Sequence, residues 1–292
     1  MSLLVTDIGG SAVKYGLCDA SGTLCHTGAF PVPDSLISFL DQLEPLVQQF
    51  QPEGIALSSP GSVDPASGMV HGISAVPWIH GPSLTQELQK RFSLPVTIEN
   101  DANCAALAEL WLGAARDLKD CCFVIFGTGI GGALVQNRKL IRGATMSAGE
   151  FGLMILDYDI ETQSYHVWSR YSTNHTVRNA EQECGLKEHS LDGITLFENK
   201  DNNPIFAKHI EYFYNAAANG FLNLQQMYDP EAIIVGGGIS ARPDLKEQIL
   251  RRIAVRIKGR ENYIPVPQIR ICRFRNDANL IGAAYHFLLE NS

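Results

Sequence analysis

Residues 96–109, VTIENDANCAALAE, hold the densest set of groups able to do chemistry. A β-rich run, Val96, Thr97 and Ile98, ends in Glu99, Asn100 and Asp101, and an alanine-rich helical pattern follows. Asp101 therefore stands at a strand-to-helix junction. A carboxylate there can cap the helix, accepting from its unpaired N–H groups where the dipole favours negative charge. It can equally serve as a general base facing a cleft. Three glycine-rich segments bear on the choice. Asp7-Ile8-Gly9-Gly10-Ser11 joins two strand-like runs. Its glycines let backbone N–H groups turn toward an anion, and Asp7 could hold a hydrated Mg2+; a plain β-turn is the competing reading. Gly127-Thr128-Gly129-Ile130-Gly131-Gly132 has more glycine than a hairpin needs, which favours a phosphate cradle to which Thr128 adds a hydroxyl. It fits GxGxxG loosely, but a strand follows where a dinucleotide site requires a helix, so the NAD reading is excluded. Gly236-Gly237-Gly238 follows a buried strand and lets a flat ring such as adenine approach the backbone.

The elements that must position these residues follow from periodicity. Three short strands, 3–8, 12–18 and 23–30, open the chain with tight turns between them. A helix with apolar positions Leu36, Leu40, Leu43 and Val47 comes next, capped by Asp34 or Ser35, and Pro45 predicts a kink or early end. A strand over 54–59, a short strand over 70–74, a helix over 83–92 and a strand over 96–98 lead to the helix after Asp101. Residues 113–120 are polar and mark a domain boundary. Strand, glycine turn, strand, turn, strand then recurs at 121–142, an echo of residues 3–30 in pattern only. Residues 154–170 read as a hairpin and 173–184 as a helix. A long helix over 204–227 has Phe206, Ile210, Phe213, Phe221, Leu224 and Met227 on its apolar side. A strand over 232–235, a helix over 244–257, a strand over 268–274 and a closing helix over 279–289 complete the chain.

Composition narrows the class. The 292 residues are 45% hydrophobic and 18% charged, as in a globular chain with a substantial core. Net charge is −8 with no run of Lys or Arg, against a nucleic-acid or anionic-membrane surface. The first residues lack a basic, then apolar, leader, and no apolar stretch reaches the length of a bilayer span. Seven irregularly spaced cysteines form neither a disulfide framework nor a CxxC pair. They read as core thiols in a reducing compartment, and the expected location is the cytoplasm.

Two glycine hairpins from two halves of the chain, a carboxylate beside each, and a third glycine site resemble the actin-like ATPase (ribonuclease H-like) fold of sugar kinases, actin and Hsp70. Within it the chain is similar to the ROK family (repressors, open reading frames and kinases), most specifically through ENDANCAALAE at 99–109 and GTGIGG at 127–132 followed by RGATMSAGEFG at 142–152. The resemblance implies an α/β protein of two lobes with mixed sheets around a central cleft: an N-terminal lobe over 1–116, joined by the last helix, 277–292, and a C-terminal lobe over 117–276. It implies an ATP- and Mg2+-dependent sugar kinase acting on a hexose or β-hexoside, at the 6-hydroxyl. Asp101 matches the general base. Asn100 looks like its sugar-binding neighbour, Glu150 matches a sugar-holding glutamate, and Gly61 lies where backbone approaches the sugar. Asp7 looks like the carboxylate near Mg2+. Gly9, Gly10, Ser11, Gly127, Thr128, Gly129 and Gly131 resemble the phosphate loops, and Gly236, Gly237 and Gly238 the adenosine site. A homodimer is common in the family.

Three departures matter. Ala12 stands where such kinases commonly place a lysine, and Lys14 shares that strand face; it is either a substitute or a solvated strand lysine. Leu153 stands where many members have a metal-ligating histidine, and no Cys/His cluster follows, so no structural zinc is expected. Ser169 or Arg170 takes the place of a second sugar-binding glutamate. Losing both groups predicts a pocket more open at the anomeric end, suited to a β-glucoside. The competing readings are a non-catalytic sugar-binding or regulatory protein and an N-acetylmannosamine kinase. A helix-turn-helix repressor is not expected, because the first hairpin begins at residue 3.

Overall fold

The computed structural model describes residues 1–291. They divide into two compact units, one of residues 1–117, 142–147 and 273–291, the other of 118–141 and 148–272.

The first unit opens with β1 (Ser2–Ile8), β2 (Ala12–Asp19) and β3 (Leu24–Pro31), then α1 (Leu36–Phe50) and β4 (Gly54–Ser59). A small hairpin, β5 (Ser62–Asp64) with β6 (Met69–His71), precedes α2 (Leu84–Phe92), β7 (Val96–Asn100) and α3 (Asp101–Leu112). The sheet order is β3-β2-β1-β4-β7, antiparallel across the first three strands and parallel from β1 outward to β7. Side-chain alternation explains why β1 carries apolar residues on both of its faces. Leu4 and Ile8 pack with Phe39 and Leu43 of α1 and Leu88 of α2 on one face. Leu3 and Val5 pack with Cys104 of α3 on the other. A strand covered on both faces reads as a largely apolar run, here interrupted by Thr6 and Asp7 near its end.

The second unit repeats the arrangement. Its strands are β8 (Cys121–Phe126), β9 (Ile130–Gln136) and β10 (Lys139–Ile141), followed by the hairpin β11 (Ile155–Asp159) and β12 (Ser164–Val167). Then come α4 (Thr173–Glu183), α5 (Gly193–Glu198), α6 (Pro204–Tyr228), β13 (Ala232–Gly236), α7 (Leu245–Ile257) and β14 (Ile269–Ile271). The order β10-β9-β8-β13-β14 matches the first sheet strand for strand in direction. α6 begins with Pro204 at its first turn, where the missing N–H costs nothing, and Asn203 caps it. Its apolar stripe meets Trp168, which is fully buried against the backbone of Gly220 and the rings of Phe126 and Phe221. Finally α8 (Ala278–Glu290) packs on α3, β1, β4 and β7 of the first unit.

Several local expectations change. Pro45 does not end α1, which runs on to Phe50. Pro45 and Asp41, whose carbonyl loses its donor, are both exposed, so water replaces the missing bond. Met227 is 75% exposed, because the last turn of α6 runs past the core that Leu224 still reaches. The strand expected over 268–274 is three residues long, and α5 had no signal of its own. The hairpin over 155–167 is anchored by the neighbouring Trp168, whose N–H donates to the Met154 carbonyl at 2.8 Å, more than by its own packing. No disulfide joins the seven cysteines; Cys18, Cys104, Cys121 and Cys122 are buried as expected of core thiols, whereas Cys25 is exposed, and burial pushes the Cys121 thiol up to about 12. Among the described residues no helix is long and apolar enough to cross a membrane.

Candidate active site

In the first unit the β7–α3 junction is built around a buried carboxylate. Glu99 has no solvent exposure. Its Oε1 accepts from the Asn100 N–H at 2.8 Å and the Asn103 side-chain amide at 2.9 Å. Its Oε2 accepts from Nε of Arg142 at 2.8 Å and from the other arm of the same guanidinium. Arg142 is the first residue of RGATMSAGEFG, so the pair joins two sequence motifs within one unit. Asn100, not Asp101, caps α3: its Oδ1 accepts from the Asn103 N–H at 3.1 Å. Asp101 is the first helical residue, and its Oδ1 accepts from the Ala102 N–H at 2.8 Å. The Asn100 amide donates to the Gly61 carbonyl at 3.0 Å. Gly61 sits at φ +92°, where a Cβ would also press on Val70, so glycine is required at this bend. The structure thus brings Gly61, Asn100 and Asp101 together.

Asp7, at the end of β1, is 8% exposed. Its Oδ1 accepts from the Ser58 hydroxyl at 2.8 Å and the Asn279 amide at 3.0 Å. Asn279 lies in the first turn of α8, so the closing helix holds the first carboxylate of the chain. The turn after Asp7 closes through the Gly9 N–H, which donates to the Ala12 carbonyl at 3.0 Å; Gly10 and Ser11 form its tip. Lys14 is the register partner of Asp7 on β2, so the two side chains share a face of the sheet.

The second unit holds a cavity of about 930 Å³. That lies in the range of small-molecule sites. Its walls come from the β8–β9 turn, from α4, from the segment running into α5, and from the turn after β13. Gly127 and Thr128 are exposed at the β8–β9 turn. The turn is held from α4: the Ser172 hydroxyl donates to the Thr128 carbonyl at 2.8 Å and the Asn174 N–H to the Gly127 carbonyl at 3.2 Å. Gly238 lines the cavity, and a Cβ there would meet open space. Gly237, at φ +86°, brings the backbone so close to the Phe126 carbonyl that a Cβ would lie 1.9 Å from it.

The remaining expected glycines, Gly129, Gly131 and Gly236, lie outside the cavity wall. Gly236 lies against Ile125 and Cys272, and Gly131 sits within β9 opposite Ile125. Neither it nor Gly129 lines the cavity. Glu150 stands apart from this cavity; it is exposed as a residue, yet enough protein surrounds the carboxyl that desolvation raises its pKa. Leu153 is 69% exposed, and Ser169 accepts from the Ile130 N–H at 3.1 Å.

Sequence reasoning missed Glu99, Arg142, Ser58 and Asn279, and in the cavity Arg178, Phe197 and Arg242. Arg242 lies 4.8 Å above the Phe197 ring and pairs with Asp244. Their partners are remote in sequence, so the only early signal was two charged residues, Glu99 and Arg142, inside otherwise small-residue motifs.

Comparison with known proteins places this geometry. A profile of the ROK family matches residues 4–289. A Listeria innocua protein named beta-glucoside kinase is 34% identical, across 100% of this chain and 99% of its own length. A ROK family protein from Streptococcus pneumoniae TIGR4, solved in complex with sucrose, superposes with a TM-score of 0.91 at 34% identity, covering 100% of this chain and 99% of that one. A Streptomyces griseus ROK family glucokinase, solved with glucose and AMPPNP, superposes at 0.80 and 28% identity, covering 97% and 98%. The fold is accordingly the α/β, actin-like ATPase fold.

Proposed function

This chain belongs to the ROK family, and we propose that it is an ATP-dependent carbohydrate kinase that transfers the γ-phosphoryl group of ATP to a hexose or β-hexoside, at the 6-hydroxyl. The observation that carries the reading is the β7–α3 junction. Asn100 is the N-cap, and Asp101, whose Oδ1 accepts from the Ala102 N–H, is placed one residue beyond the Asn100–Gly61 bond.

In this reading Asp101 accepts the proton of the attacking hydroxyl. Gly61, Asn100 and Glu150 hold the sugar. The β8–β9 turn, with Gly127, Thr128 and Gly129, receives the phosphates, and the turn at Gly9, Gly10 and Ser11 is the second phosphate loop. The 930 Å³ cavity takes the nucleoside, with Gly238 against it and Gly236 and Gly237 setting the backbone path. Asp7 fits a hydrated Mg2+: the hydrogen bonds from Ser58 and Asn279 both fall on Oδ1, and Oδ2 would be the atom to hold the hydrated ion. The ion supplies charge neutralisation for the phosphates. Phosphoryl transfer leans on positioning and charge stabilisation rather than covalent chemistry by the protein.

The loss of both family groups, the histidine at Leu153 and the glutamate at Ser169 or Arg170, supports a β-glucoside as acceptor. Leu153 offers no ligand, and the Ser169 hydroxyl is occupied by the Ile130 N–H. No carboxylate from Ser169 and no imidazole from Leu153 can grip a free anomeric hydroxyl. A cytoplasmic enzyme acting as a homodimer fits the family but rests on that resemblance alone.

The test is ADP release with ATP and Mg2+ against glucose, mannose, fructose, N-acetylglucosamine, N-acetylmannosamine, cellobiose and methyl β-glucoside. Turnover is expected on the β-glucosides. Asp101→Asn is expected to lower kcat by about 10²–10⁴ with sugar binding retained. Strong preference for free glucose would overturn the β-glucoside assignment. Sugar binding without turnover on any acceptor would overturn the kinase.

A further inference from the structure

One buried carboxylate lies behind the cavity of the second unit and touches two of its walls. Glu181, on α4, is 2% exposed and does not line the cavity. Its Oε2 accepts from the Arg178 guanidinium at 2.8 Å, and Arg178 does line the cavity. Its Oε1 accepts from the backbone N–H of Ser190 at 2.6 Å and of Leu191 at 2.9 Å. Those N–H groups belong to the segment that carries His189, Leu191 and Asp192 into the cavity wall. The Glu181 carbonyl also accepts from the Leu186 N–H at 3.0 Å, so the chain leaving α4 is tied at both ends of the carboxylate's reach.

Leu191 anchors one end of the segment in the core, and the rest has little apolar contact. His189 adopts φ +63°, and its neighbours from Lys187 to Ser190 are exposed. A loop with few apolar contacts is set by its hydrogen bonds. Burying a carboxylate is costly unless each oxygen is satisfied, and here a guanidinium and two backbone donors do so. A neutral glutamine has the same shape but presents an NH₂ to one of those donors, and it releases Arg178.

We propose that Glu181 is a positioning residue for nucleotide binding: from behind the cavity it fixes the Arg178 guanidinium on one wall and the 189–191 backbone on another. The proposal rests on the reading that this cavity takes the nucleotide. It assigns Arg178 to the nucleotide-binding surface, as the cation on α4, the same helix whose first turn holds the Gly127–Thr128 turn. It also separates the two substrates: Glu181 and Arg178 act on nucleotide affinity and leave sugar affinity alone.

The experiment is equilibrium titration of the full-length protein with a fluorescent N-methylanthraniloyl ADP, with steady-state KM for ATP and for the accepted sugar measured in parallel. Wild type is titrated first. If it fails to bind the probe, the cavity reading fails and takes this proposal with it. With wild-type binding in hand, Glu181→Gln is expected to weaken ADP binding and raise the KM for ATP about tenfold, the factor that ~1.4 kcal/mol of lost interaction gives. The KM for sugar should stay within about twofold, well inside that factor. Arg178→Gln, which leaves Glu181 its backbone donors, is expected to match it, and it decides the matter if Glu181→Gln does not fold. Unchanged nucleotide affinity in a folded variant, or an equal rise in both KM values, would overturn the assignment.

Discussion

At the scale of single residues, the candidate site is organised by groups that do not themselves face a substrate. Glu99 is the clearest case, fully buried with both oxygens satisfied. Removing one partner of such a pair leaves an uncompensated charge, which typically costs about 3–5 kcal/mol. Arg142→Met is therefore expected to lower the unfolding free energy by about 3 kcal/mol in urea denaturation. Glu99→Gln/Arg142→Met, with no charge left behind, should recover part of that loss. A loss under about 1 kcal/mol in the single variant would mean that Asn100 and Asn103 alone satisfy the carboxylate. Glu109, at the far end of α3, follows the same logic: buried, it accepts from the backbone N–H groups of Ala114 and Phe274, each at 2.7 Å, and so holds the turn after α3 to the chain entering α8.

At the scale of elements, the alanines of α3 and the small residues of α8 form one contact. A Cβ on Gly282 would lie 1.7 Å from the Cys104 carbonyl oxygen, so the two helices approach backbone to side-chain-free backbone. Neither helix can retreat, because Leu280, Ala283, Ala284 and Phe287 already pack with Leu3, Val5 and Ala56. Gly282→Ala is expected to cost about 3 kcal/mol or more, at the upper end of overpacking, or to prevent soluble expression. A change in melting temperature of only a degree or two would show that the helices can separate. The same packing carries Asn279 to Asp7, so a weakened α3–α8 contact should also reduce activity. The repeated sheet works differently: in both units the turn joining the first two antiparallel strands presents glycine, and in the second a neighbouring helix, α4, ties that turn in place.

For the whole molecule, buried titrating groups predict acid sensitivity in two steps. His286 is 2% exposed; burial lowers its pKa below the ordinary 6.5, Arg142 adds to this, and Glu99 and Glu290 oppose it. The folded imidazole stays neutral where the unfolded one takes a proton, so stability falls as pH drops below about 6.5. Burial alone would raise Glu181, but hydrogen bonds from Arg178 and from the Leu191, His189 and Ser190 N–H groups outweigh it and hold the carboxyl at about 2. Its contribution is full above 4.5 and is lost as pH falls from there toward about 2. Glu150, raised by burial, has the opposite sign and relieves a small cost as it protonates. The urea midpoint should therefore decline from pH 7.5 to 5.5 and again below 4.5, and His286→Gln should flatten only the first decline; a flat wild-type profile would contradict both steps. The amino-acid sequence by itself determined the α/β order, the echo of residues 3–30 in 121–142, and the family, because apolar periodicity, glycine turns and contiguous motifs are local properties. It also narrowed the α1 cap to Asp34 or Ser35, of which the structure takes Ser35, and carried the hairpin before Trp168. Only the tertiary structure decided that Asn100 caps α3, that Asn279 reaches Asp7, that Arg142 meets Glu99, and that Gly236 and Gly131 lie outside the cavity wall. Each of those outcomes depends on which distant groups compete for one buried oxygen or one ångström of backbone clearance, and no spacing within a segment encodes that.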